Sequence, residues 1–225
     1  RQMNILIYGA GAIGSHLAYC LNNKKNNIVL ITKNKYLRNI KDSGIKIKIF
    51  SNECLKKKTI IKENKKIKFH SKIEKIDTKF KKNVDVVFIT LKLKDLKMRN
   101  MNSILSVINK KTSIVPPCTH LPPWWFHGIF KRKLNTSLLT KELKVFKKYQ
   151  NHMIGMSMWV SAKMVKAGQV EVKHIQRGYP IKEIHKSRKK HATQLRNYLN
   201  KKCISPIIKN IYSEIYIKAI NSFAF

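Results

Sequence analysis

The sequence predicts an α/β fold built on a parallel sheet, and three observations carry that prediction. Apolar runs at residues 3–8, 28–31, 84–91 and 112–115 show no polar alternation, as expected for strands buried on both faces. Stretches with helical spacing of apolar residues lie between them, which is the pattern of strand–helix–strand units. The third observation is the turn Gly9-Ala10-Gly11-Ala12-Ile13-Gly14, set directly between the first apolar run and the first helical stretch.

That turn organises the chain. Glycines in a G-x-G-x-x-G spacing are weak evidence alone, but between a strand and a helix they mark a dinucleotide site. Gly9 permits the sharp turn off the strand, Gly11 lets a pyrophosphate approach the backbone, and Gly14 lets the helix pack closely on the strand. Ala10, Ala12 and Ile13 complete the cradle, whose free amides and helix dipole face the phosphates. The competing reading is a glycine turn in an unrelated α/β fold. Residues 28–31 form the second strand, completing a βαβ unit. An acid just beyond that strand would bind the ribose hydroxyls of NAD. Here the chain reads Thr32-Lys33-Asn34-Lys35, and a cation suits a 2′-phosphate, so NADP(H) is the expected cofactor.

Further along, residues 36–42 read as a helix ending at Ser43-Gly44, and 45–49 alternate strictly, as a strand with one wet face does. Residues 59–61 and 67–69 are expected to extend an antiparallel or edge portion, with lysines guarding the edges. Residues 84–91 form the next buried strand, followed by a helix to about Ile108 and a strand at 112–115. Pro116-Pro117 stop that strand, and prolines forbid regular structure at 118–128, an aromatic-rich loop leaving the strand's carboxyl end. Its alternatives are a ligand-binding loop and an apolar plug. Residues 153–165 and 169–173 flank Ala167-Gly168 and predict a hairpin. Residues 186–199 read as an amphipathic helix. After Pro206, Asn210 is placed to cap a last helix carrying Ile211, Ile215, Lys218 and Ser222 on one broad face.

Composition bounds the partners. The 225 residues carry 48 basic and 11 acidic side chains, a formal charge of +37. Only seven of the basic residues are Arg, and the lysines are scattered through every segment. Readers of nucleic acid favour Arg for bidentate and stacking contacts. A/T-rich codons explain abundant Lys, Ile and Asn without a specific nucleic-acid partner. No apolar run approaches the ~20 residues that span a membrane, and no signal peptide precedes the first strand. A cytoplasmic protein is expected. Cys20, Cys54, Cys118 and Cys203 show no C-x-x-C spacing, so no metal site is expected and four free thiols are.

The glycine turn, the stretch Pro123-Trp124-Trp125-Phe126-His127-Gly128 and the last helix together resemble the 2-dehydropantoate 2-reductase (ketopantoate reductase) family along essentially the whole chain. The stretch is similar to that family's P-W-W-Y-F-H-G. Glu214-Ile215-Tyr216-Ile217-Lys218 with Asn221 and Ser222 resembles its E-I-W-x-K-L-x-x-N helix. The resemblance implies reduction of the ketone of a 2-oxo acid, 2-dehydropantoate, to pantoate by NADPH, on the way to coenzyme A. It implies Lys218 as general acid, Asn221 and Ser222 as substrate contacts, and Lys33 at the 2′-phosphate. The segment from Val86 to Lys92 resembles the family's strand ending in V-K, which implies that Lys92 lies near the cofactor. His120 stands where the family has an Asn that contacts cofactor and substrate. The expected architecture is a Rossmann-like NADP-binding domain at 1–206, followed at 207–225 by the first helix of an all-helical second domain whose remainder is absent. On this reading the chain is truncated at its C-terminus, and a homodimer contact is one way to cover the helix's apolar face. The alternatives are a catalytically impaired NADP-binding remnant and a basic nucleic-acid-binding protein.

Overall fold

The computed structural model describes residues 2–92, 95–116, 145 and 148–223. Its centre is a five-stranded sheet in the order β5-β2-β1-β6-β7, parallel throughout. The strands are β1 (Asn4–Tyr8), β2 (Asn27–Ile31), β5 (Ile67–His70), β6 (Val86–Ile89) and β7 (Ser113–Val115). Leu6 sits opposite Val29 on one side and Val87 on the other. Such a strand has no wet face, which is why its sequence does not alternate. Ile5 and Ile7 point into one apolar cluster, Leu6 into a second on the opposite face. Each of these side chains is fully buried, and such burial contributes roughly 1.5–3 kcal/mol apiece.

The helices that cover the sheet follow the predicted spacing. Helix α1 (Ala12–Leu21) buries Leu17 and Leu21, and α2 (Asn34–Ser43) ends at Gly44, whose φ of +72° is the left-handed stop that glycine accepts. A short α3 (Thr78–Lys82) is capped by Asp77, whose side chain accepts from the Phe80 amide. Helix α4 (Met98–Leu105) stops three residues before the expected Ile108. Helix α5 (Lys189–Leu199) follows a 3₁₀ turn at Lys186–Arg188. Helix α6 (Ile211–Phe223) begins at Asn210, which accepts from the Tyr212 amide as a cap. Ile211 and Ile215 pack into the second apolar cluster, against the central sheet.

A second sheet of four strands, in the order β4-β3-β10-β9, lies beside the first. It joins β3 (Ile45–Ser51) and β4 (Cys54–Ile61) to the hairpin of β9 (Trp159–Lys166) and β10 (Gln169–Gly178). The hairpin turns at Gly168, with φ +71°, as its sequence predicts. Strand β10 pairs parallel with β3 across more than a hundred residues, a partnership that local pattern does not carry. Strands β8 (Ile154–Met156) and β11 (Ile181–Glu183) form a two-stranded antiparallel pair. One expectation is refined: residues 59–61 do lie on an antiparallel edge strand, whereas β5 is an edge strand that runs parallel to β2.

Candidate functional site

The carboxyl ends of β1, β2, β6 and β7 open on one cavity of about 690 Å³. The strand order reverses between β1 and β6, and open parallel sheets bind their ligands at this switch point. Gly9, Ala10, Gly11, Ala12 and Ile13 line the cavity from below. Gly9 has φ +126°, and its amide and that of Ala10 both donate to the Ile31 carbonyl, at 3.1 and 2.9 Å. The turn is thereby latched to the end of β2. Thr90, at the end of β6, donates from Oγ1 to the Gly9 carbonyl at 2.7 Å and so fixes the other side.

The three glycines differ in what surrounds them. A Cβ on Gly14 would stand 1.9 Å from the Gly9 carbonyl oxygen, so Gly14 is the close contact between helix and strand. Gly14 does not line the cavity. A Cβ on Gly11 would meet nothing within 4 Å, because that side faces the open cavity. Helix α1 starts at Gly11 with no side-chain cap and no acid in its first turn. Its first amides are therefore available to an anion, and its dipole favours one.

The other predicted cofactor residues converge on the same space. Lys33, exposed at the start of α2, lines the rim beyond β2, and Lys92 lines it beyond β6. Ser71, just past β5, was not singled out by sequence. Its Oγ is buried, has no hydrogen-bond partner among the described residues, and belongs to a residue lining this cavity. A serine in a lysine-rich loop carries no sequence signal, and only the tertiary arrangement reveals it. The opposite wall is apolar: Met156, Met158, Ala162 and Met164 from β8, β9 and the segment between them. These features fit a nicotinamide dinucleotide: bare amides for the pyrophosphate, a cation at the rim, a polar atom in want of a partner, and a greasy wall.

Of the residues expected to act on the substrate, Lys218 and Asn221 are not among those lining the cavity. Half-buried on α6, Lys218 holds its ammonium 5.2 Å from the ring centre of Trp159, the neighbour of the cavity-lining Met158. Asn221 is exposed, one helical turn on. Ser222 lies in α6, and its side chain is outside the described residues, as are His120 and the aromatic stretch at 123–128. Glu214 anchors the helix. Both its oxygens accept from Arg177 of β10, at 2.9 and 3.1 Å, and Glu214 is 8% exposed.

Fold and site define the class: a Rossmann-type protein with a dinucleotide cradle at the switch point of a parallel sheet. The chain belongs to the ketopantoate reductase PanE/ApbA family, whose model matches residues 5–117. No curated protein sequence matches it. Among solved structures it is similar to a protein from Ralstonia solanacearum MolK2 assigned to ketopantoate reductase. The TM-score is 0.74 at 16% identity, over 97% of this chain and 64% of that one. A 2-dehydropantoate 2-reductase from Methylococcus capsulatus gives a TM-score of 0.68 at 15% identity, over 98% and 62% of the two chains. A D-mandelate dehydrogenase solved with NADH and anilino(oxo)acetate gives 0.66 at 19% identity, over 95% and 59%. The chain thus spans less than two thirds of the length of these structures. Among the described residues no helix is long and apolar enough to cross a membrane.

Proposed function

We propose that the chain is the cofactor-binding part of an NADPH-dependent 2-oxo-acid reductase that converts 2-dehydropantoate to pantoate in the cytoplasm. The observation that carries this reading is the uncapped start of α1 opening on a cavity with Lys33 at its rim. On this reading residues 1–206 form the dinucleotide-binding domain, and 207–225 begin a helical domain for substrate binding and homodimer contact. The α1 amides and Gly11 hold the pyrophosphate, Lys33 and Ser71 hold the adenosine end, and the methionine wall excludes water from the nicotinamide end. When bound, the reduced cofactor supplies a hydride to the substrate carbonyl carbon. Lys218 then offsets the negative charge that develops on the carbonyl oxygen and gives it a proton. Trp159 places the ammonium by cation–π attraction. Asn221 and Ser222 follow on the same helix as substrate contacts, and Lys92 and His120 flank the cofactor.

A second reading is favoured by the place of Lys218 over Trp159 rather than in the cavity wall: a chain that binds NADP(H) without turning it over. Measuring NADPH fluorescence and NADPH oxidation with 2-dehydropantoate separates the two. Turnover that is lost in Lys218→Ala, with NADPH affinity kept, supports the reductase. Tight binding without turnover leaves the cofactor-holding chain. Lys33→Asp is expected to weaken NADPH by about tenfold or more relative to NADH, since it replaces the cation facing the 2′-phosphate with an anion. An unchanged NADPH-to-NADH ratio would remove Lys33 from that role.

A further inference from the structure

The four cysteines show no ligand spacing in sequence, yet the fold assembles three soft donors in one place. His16 and Cys20 are four residues apart on α1 and share a face. Cys203 arrives from the turn after α5, its amide held by the Leu199 carbonyl at 2.8 Å. The three donor atoms lie within 4.8 Å of one another. Nε2 of His16 stands 3.6 Å from Sγ of Cys20. Two such atoms bound to one zinc ion, at about 2.05 and about 2.3 Å and a tetrahedral angle, stand about 3.5 Å apart.

The surroundings also suit an ion. Nδ1 of His16 is 2.8 Å from the hydroxyl of Tyr179, which is itself fully buried. That partner turns Nε2 toward the sulfurs and fixes the ring, as the outer hydrogen bonds of metal-bound histidines do. Burial holds the imidazole down to about 4, so it is neutral and its lone pair is available. Cys203 accepts from the Cys20 thiol and the Ile204 amide, which hold its own thiol below the ordinary value, while burial pushes the Cys20 thiol well up. His16 and Cys20 are buried, and half-buried Cys203 leaves one side open to solvent.

The geometry points to a thiophilic metal site, His16–Cys20–Cys203, that takes zinc(II) with a solvent molecule as fourth ligand. Two thiolates and a neutral imidazole carry the charge that cancels a dication, so the unit is neutral in its apolar setting. The cluster has no carboxylate, which disfavours magnesium and calcium. Coordination releases the two thiol protons to solvent and clamps the last turns of α1 to the end of α5. The ion would brace the helix whose other end forms the nucleotide cradle, without touching that cavity.

The test uses the full chain, stripped with chelator and kept reduced, and cobalt(II) as the spectroscopic probe. One equivalent is expected to produce thiolate-to-cobalt charge transfer in the near ultraviolet, and zinc to displace it while raising the thermal midpoint. Cys203→Ser is half-buried and isosteric, so it should fold, with about half the charge-transfer intensity and zinc affinity lower by ~10-fold or more. Cys54→Ser and Cys118→Ser should leave both unchanged. The site is overturned if the folded, reduced chain shows no thiolate band, or if Cys203→Ser leaves that band intact. A disulfide between Cys20 and Cys203 in protein prepared without oxygen would also overturn it.

Discussion

Gly11 and Gly14 are three residues apart in one motif, and the structure gives them opposite physical constraints. At Gly14 any Cβ collides with backbone, 1.9 Å from the Gly9 carbonyl oxygen, and neither α1 nor β1 can give way. Gly14→Ala is expected to destabilise the chain by about 2 kcal/mol or more, seen as a lower urea midpoint. At Gly11 the Cβ enters open space, so Gly11→Ala should keep the urea midpoint and weaken NADPH binding instead. Equal loss of stability in both variants would refute this division of labour. His16 makes the second prediction at this scale, for metal-free protein. The folded chain protonates it only near 4, the unfolded chain near 6.5, so between those values the unfolded state binds more protons. Stability present above pH 6.5 is therefore lost as pH falls toward 4, by about 3 kcal/mol in all. Urea titrations with chelator across that range should show the slope, and His16→Gln should remove that part of it.

Among elements, α6 shows how a helix distant in sequence is held to the sheet. Its apolar residues Ile211 and Ile215 enter the second cluster, and its Glu214 takes the bidentate bond from Arg177. The carboxylate is buried while the guanidinium is half-exposed, so the pair is worth less than a fully buried one. Removing the cation alone leaves a buried charge unpaired. Arg177→Met is expected to cost about 1–3 kcal/mol and to speed proteolysis between α5 and α6, while Glu214→Gln, which leaves no charge behind, should cost less. If the two variants lose the same stability, the pair is not what seats the helix. Because Lys218 lies one turn beyond Glu214, the same bond sets where its ammonium can reach.

At the scale of the whole molecule, 48 basic side chains face 11 acids, a net charge of +37, and three ion pairs occur among the described residues. The lysines are less evenly spread than their sequence positions. Seven of them line a cleft of about 990 Å³ at the amino ends of the strands, opposite the nucleotide cavity. Self-repulsion on this scale opposes compaction. The thermal midpoint is expected to rise from about 0.01 M to about 0.15 M salt, as the Debye length falls from ~30 Å to ~8 Å. A midpoint that stays flat or falls over that range would mean that the charge does not limit stability.

The sequence by itself determined the parallel sheet, the glycine cradle, the caps at Gly44 and Asn210, and the hairpin at Gly168. These rest on local rules: unbroken apolar runs, the conformations only glycine accepts, and side chains that satisfy helix ends. Lys33 and Lys92 line the cavity because each follows a strand whose carboxyl end opens there. Tertiary structure alone decided the pairing of β10 with β3, the seat of Lys218 over Trp159, the place of Ser71 in the cavity wall, and the meeting of His16, Cys20 and Cys203. Each depends on residues that approach through packing of separate elements. The spacing that brings them together is a distance in space, set by which faces must be buried, and no period along the chain encodes it.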